Sequence, residues 1–192
     1  MEENDFGFRP DLPENVRDIF MWLCQDLASL CYKWKTYRNL FKPENEAILY
    51  NTAQQAFKVI EESLRVDMTM MICRLGDPLR SCGKENLNFK ALEHCYENDT
   101  DLKKLVKGFQ DACEPIKTHR NKLVAHSDMQ TRLKPDENLM PPVGRSEIET
   151  VIDCATKVLN HIEPNMGFVP YDFMGADTLV FWLQKGWDDH HR

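Results

Sequence analysis

Apolar residues recur through the first forty residues at a helical interval. Val16, Phe20, Leu23, Leu27, Leu30, Trp34, Tyr37 and Phe41 follow one another at alternating spacings of four and three. That repeat lays a single apolar seam along a long helix and makes it a bundle helix, because a strand would alternate every second residue. The first helix is expected from about Pro13 to Phe41. Pro43 and Glu44 suit the first turn of a second helix, since proline there loses no hydrogen bond. Its stripe reads Leu49, Ala53, Ala56, Ile60, Leu64, Met68, Met71 and Leu75. The short break at Lys42 makes the two an antiparallel hairpin.

Further on, Gly76-Asp77-Pro78 stops the second helix, and a loop runs to Asn86. A short helix fits Leu87 to Tyr96. Thr100 and Asp101 are expected to cap another helix, carrying Leu102, Leu105, Phe109, Cys113 and Ile116. Pro115 interrupts that pattern and predicts a kink or a restart, followed by a separate helix ending near Asp128. Residues 131–145 read as a polar loop. Ser146 and Glu149 form a capping box for a helix carrying Ile148, Ile152, Ala155, Leu159 and Ile162. A last short helix starts at Asp177 and uses Leu179, Trp182 and Leu183. No stretch carries a sustained strand pattern, so the fold class is all-α. The expected organisation is a tail over residues 1–12, a bundle over 13–165 and an extension over 166–192 whose helix packs on the bundle.

The chain has 192 residues, 42% hydrophobic and 29% charged, enough for one well-buried core. Seven cysteines with no Cys-x-x-Cys pair, several on apolar stripes, read as reduced core thiols in a cytoplasm. No His/Cys cluster has metal-ligand spacing, and neither metal nor cofactor is expected. No apolar run approaches a membrane span, and the acidic start MEENDFGFRP has no signal core. A net charge of −7 argues against a broad nucleic-acid-coating surface. Locally the balance reverses. Between Pro115 and Lys134 the basic residues Lys117, Arg120, Lys122, Arg132 and Lys134 face one acid, Asp128, an excess of +4.

Inside that basic stretch lies Arg120-Asn121-Lys122-Leu123-Val124-Ala125-His126. On an α-helix Arg120 and His126 stand about 120° apart and about 9 Å along the axis, flanking Leu123, which should be buried. A histidine near neutrality moves protons at cellular pH, and an arginine fork holds phosphate oxygens. Asn121 can orient either one. Together they suit RNA cleavage by attack of a ribose 2′-OH on the adjacent phosphate. One histidine leaves the departing oxygen without an acid, so a twofold dimer would complete the site with a second pair. His119 lies seven residues before His126, about 20° away on the same helical face, and is the weaker candidate for that role. The plainer alternative is a surface arginine and a helix-end histidine meeting the helix dipole.

The same residues carry a resemblance. Arg120 to His126, followed by Ser127 and Asp128, resembles the Arg-x4–6-His signature of HEPN domains. Gln25 to Leu30, Lys33-Trp34-Lys35 and Arg74-Leu75-Gly76-Asp77-Pro78 resemble the abortive-infection, AbiU-like branch, over roughly residues 15 to 165. The resemblance implies a HEPN-like helical bundle, usually a homodimer, and a metal-independent endoribonuclease with a defence or toxin role. It implies Arg120 and His126 as catalytic, with Asn121 supporting; Lys122 and His119 join them as substrate-binding candidates. Expected partners are RNA, a second copy of the chain, and an antitoxin or regulatory protein. Asp128 stands where many HEPN toxins carry a tyrosine that is nucleotidylated, so that form of silencing is not expected. The rival expectation is a non-catalytic HEPN module that binds RNA, a nucleotide or a partner protein.

Four further features have a structural expectation beside a functional one. Asp67 and Arg74 are expected as an ion pair and Asp77 as a cap on the turn before Pro78, in preference to a polar line facing the cleft. Met68, Met70 and Met71 are expected as core filler. Phe181, Trp182 and Trp187 are expected to pack back on the bundle in preference to forming a partner patch. His190 and His191 read as a tail.

Overall fold

The computed structural model describes residues 12–124, 144–164 and 175–190. His126, the polar stretch 131–143, residues 1–11 and His191 lie outside them, as does the expected burial of Leu123. The described chain is an all-α bundle. It has six α-helices and one two-stranded hairpin: α1 (Glu14–Leu40), α2 (Glu46–Gly76), α3 (Phe89–Cys95), α4 (Thr100–His119), α5 (Arg145–Ile162) and α6 (Gly175–His190). Among the described residues no helix is long and apolar enough to cross a membrane.

The seam of α1 is buried as its spacing requires. Val16, Phe20, Leu23, Leu27, Leu30 and Trp34 are interior, and Tyr37 and Phe41 are half-buried. Each such Leu or Phe contributes about 1.5–3 kcal/mol relative to exposure. The hairpin to α2 closes through a short 3-10 turn, Pro43–Asn45. Buried Asn45 donates its amide to the carbonyls of Asn39 and Leu40, at 2.8 and 3.1 Å, and so satisfies orphaned acceptors at the end of α1.

Only the ends of α2 follow the expected stripe. Leu49, Met68, Met71 and Leu75 are buried, whereas Ala53, Ala56 and Ile60 are exposed. The neighbours of α2 leave the face that carries Ala53, Ala56 and Ile60 to solvent. The helix also kinks at Ala53 (φ −158°, ψ 59°). There the hydroxyl of Thr52 bonds back to the Ile48 carbonyl at 2.7 Å, a competing bond of the kind that bends helices. Met68 and Met71 fill the core as expected, while Met70 stands at the surface.

Helix α4 corrects two expectations. Its N-cap is Asp99, whose carboxylate accepts from the amides of Asp101 and Leu102 at 3.0 and 2.8 Å; Thr100 and Asp101 are already helical. Pro115 does not restart the helix, which continues through it to His119. The expected separate helix is described only over its first residues, and its end near Asp128 lies outside the described residues. Arg120–Val124 continue α4 directly as a π turn. The cap of α5 also shifts. The Gly144 amide donates to Glu147 at 2.7 Å, in place of the expected Ser146 and Glu149 pair, and glycine has no side chain to reciprocate.

The core gathers α1, α3, α4, α5 and the last turns of α2. Phe89 meets Phe109 edge to face at 4.7 Å, and Val151, Ala155, Val158 and Leu159 of α5 close the other side. A second apolar cluster lies where α6 crosses the closed end of the hairpin, joining Leu40, Ile48, Leu49, Phe57 and Ala176, with Val180, Leu183 and Trp187 against them. Leu183 thus packs inward as expected, and so does Trp187. Leu179, Phe181 and Trp182 do not: they lie on the outer face, with Phe181 60% and Trp182 57% exposed. Helical phase separates them, since 176, 180, 183 and 187 define one stripe and 181 and 182 the opposite one.

Candidate functional site

The site begins at Gly76. A Cβ there would lie 3.2 Å from Cys113 Sγ and 3.3 Å from Lys117 Cε, so glycine lets the end of α2 sit tightly against α4. That contact delivers the next residue, Asp77, to the end of α4. Its carboxylate stands 3.5 Å from the guanidinium of Arg120, and both side chains are largely shielded, at 30% and 20% exposure. Arg120 Nε also donates to Asn121 Oδ1 at 3.0 Å. The two charges lie over the buried thiol of Cys73. Burial pushes that thiol up to about 11, with Arg120 pulling it down and Asp77 pushing it up.

Asp77 is itself held from below. Asn88 is fully buried and donates its amide to the carbonyls of Asp77 and Pro78 at 3.0 and 3.1 Å. Its Oδ1 accepts from Ala91 N and caps α3. One side chain therefore fixes the Asp77-Pro78 turn and starts the next helix. The hairpin between them, Arg80–Ser81 with Lys84–Glu85, turns through Cys82 and Gly83 at φ 50° and 76°, the positive angles a two-residue turn needs.

The sequence-predicted residues fall into two places. Arg120 and Asn121 lie together at the π turn, and Lys122 follows on it, half-buried. The turn is bonded i→i+5 and is wider than an α-turn, so angles counted at 100° per residue do not hold across 120–124. His119 points elsewhere. It lines a cleft of about 420 Å³ with Trp34 and Tyr37 of α1, Arg65 and Thr69 of α2, and Arg145 at the start of α5. Its Nδ1 is buried with no hydrogen-bond partner among the described residues. Burial, reinforced by the Arg65 guanidinium, holds the imidazole below its ordinary range and keeps it neutral at pH 7. The expected Asp67–Arg74 pair does not form: Asp67 pairs with Lys33 of α1 at 2.5 Å.

The Arg120 arrangement, on an irregular turn with an acid opposite and an amide alongside, follows the Arg74-Leu75-Gly76-Asp77-Pro78 segment as closely as it follows Arg120 itself. A model of the HEPN family AbiU2 matches residues 13–178. The chain belongs to that family. No curated protein and no solved structure matches this chain. In this AbiU2-family chain the match spans α1 through α5 and enters α6, so every element that positions Arg120 lies within it.

Sequence reasoning took Asp77 as a helix-end cap and missed its role as the partner of Arg120. No local signal marked it, because Gly-Asp-Pro is an ordinary way to end a helix and Arg120 lies 43 residues further on. The lining residues Arg65, Thr69 and Arg145 carried no signal either. They come from separate helices and share no motif.

Proposed function

We propose that this HEPN protein is an endoribonuclease acting in abortive infection, with Arg120 and His126 at the reacting phosphate. The observation that carries the reading is Arg120 itself. It is an arginine set in a π turn, a helical irregularity common at functional sites, and its fork is oriented by Asp77 at 3.5 Å and Asn121 at 3.0 Å. A guanidinium held in this way meets a phosphate with little further loss of side-chain entropy. In the reaction the ribose 2′-OH attacks the adjacent phosphorus and the P–O5′ bond breaks. His126 serves as acid or base, Arg120 stabilises charge on the phosphoryl oxygens, and the products carry 2′,3′-cyclic phosphate and 5′-OH ends. This transesterification uses proton transfer and charge stabilisation and calls for no metal. A homodimer would bring a second Arg120 and His126 to the seam, with Lys117 and Lys122 attracting the RNA backbone.

The same contact favours a second reading. A guanidinium already paired with a carboxylate is a stable structural group, and the protein would then be a binding module without turnover. Cleavage of a cellular RNA pool in excess EDTA, beside His126→Ala, separates the two. The nuclease gives cyclic-phosphate ends from wild type alone. Absence of fragments from wild type rejects the enzymatic reading, and equal fragments from both proteins reject His126.

A further inference from the structure

The cleft on the other side of His119 is a built cavity with three kinds of wall. Trp34 and Tyr37 form its aromatic side, their rings stacked at 5.9 Å and 16°. Arg65 and Arg145 stand at its mouth, with Glu62 as the carboxylate among the described lining residues. On the floor lie Thr69 and the Nδ1 of His119, which has no partner among the described residues. The hydroxyl of Tyr37 is already committed, donating to Glu61 at 3.3 Å, so the tyrosine offers ring surface and no free donor.

A ligand matching these walls has a flat, partly apolar body with hydrogen-bonding edges and carries negative charge at one end. A nucleotide residue has all three properties. Base faces stack on aromatic rings, base edges satisfy a buried imidazole nitrogen, and a phosphate meets the two guanidiniums. His119 is neutral, so it can accept or donate to a base edge without adding charge. It is also the residue immediately before Arg120, so the cleft and the Arg120 turn share the same end of α4. We propose that this cleft is a subsite for single-stranded RNA, seating the nucleotide beside the one held at Arg120, with its base toward His119 and its phosphate on Arg65 and Arg145. The assignment rests on the proposed action on RNA, and it concerns binding and sequence preference, not the chemical step.

The test uses a dye-labelled 2′-O-methyl tetraribonucleotide, which cannot be cleaved, with affinity read by fluorescence anisotropy. Arg65→Gln changes an exposed side chain and should weaken binding about tenfold, the scale of one charge-assisted contact. His119→Leu should flatten the preference among tetranucleotides that differ at one base. Arg80→Gln, on the distant hairpin, should leave both unchanged. Equal weakening by Arg65→Gln and Arg80→Gln would mean diffuse charge attraction and overturn the subsite, as would no binding by wild type. A free ribonucleoside 3′-monophosphate that bound as tightly as the tetranucleotide would overturn RNA as the occupant. Binding as described, with no cleavage of an unmodified RNA, would instead sink the nuclease reading and leave the subsite standing.

Discussion

Asp77 and Arg120 face each other at 3.5 Å across the junction of α2 and α4, an acid from the end of one helix holding a base at the end of another. The acid both aims the guanidinium and competes with any phosphate that approaches it. Asp77→Asn keeps the shape and removes the competition. The expected result is a lower KM for RNA, because net positive charge at the turn rises, and a kcat lower by about tenfold, because the fork is less well aimed. Steady-state cleavage kinetics of the variant check it. A higher KM at unchanged kcat would mean that Asp77 takes no part in orienting Arg120.

Asn88 should be the most costly polar position to alter. Asn88→Ala removes the α3 cap and leaves the Asp77 and Pro78 carbonyls without their buried donor. A loss of about 1–3 kcal/mol in urea denaturation is expected. RNA cleavage should fall with it even at temperatures where the variant is folded, since the Asp77 turn is no longer held.

Acid should loosen the junction between α4 and α5 before the core. Asp99 accepts the Leu102 amide and pairs with His161 at 2.9 Å; the amide bond first, and His161 second, hold its carboxyl below its ordinary value of 3.8. A carboxyl depressed in the folded state stabilises the fold above its unfolded value, and that contribution disappears as pH falls through the folded one. Thermal melts taken from neutral pH downward should therefore show a decline beginning near the ordinary carboxylate range and continuing below it. Asp99→Asn should flatten that part of the profile. An unchanged profile would show that Asp99 makes no contribution to the acid sensitivity.

The two faces of α6 should respond differently to truncation. Leu183 packs on the Leu40–Phe57 cluster, and Leu183→Ala should cost about 1–2 kcal/mol, less than a fully buried leucine. Phe181→Ala on the outer face should change stability by no more than about 0.5 kcal/mol. Paired denaturation curves decide it, and a larger effect at Phe181 would mean that the outer face is covered in solution.

Much of the bundle was legible because burial leaves a period. Each seam residue of α1 from Val16 to Trp34 is interior, since that helix meets neighbours along its length. The stripe through Ala53, Ala56 and Ile60 has the same period and no neighbour to bury it, and a sequence does not record how far a partner helix extends. Caps were misplaced by small shifts because Asp99, Thr100 and Asp101 are all good capping residues and only the backbone path selects among them. At the site, Arg120 and Asn121 were readable as neighbours in sequence. The Asp77 contact and the cleft around His119 were not, because both are made by residues that only tertiary packing brings together.

The π turn at Arg120–Val124 has a consequence for chain length. An i→i+5 turn accommodates one residue more than the α-helix that leads into it. Losing a residue beyond Arg120 could be absorbed by winding the turn back to ordinary α-helix, while Arg120 stays where Asp77 and the Gly76 contact anchor it. The segment downstream of the arginine can therefore shorten by a residue as a slack loop of rope does past a fixed cleat, and the charged end that matters does not move.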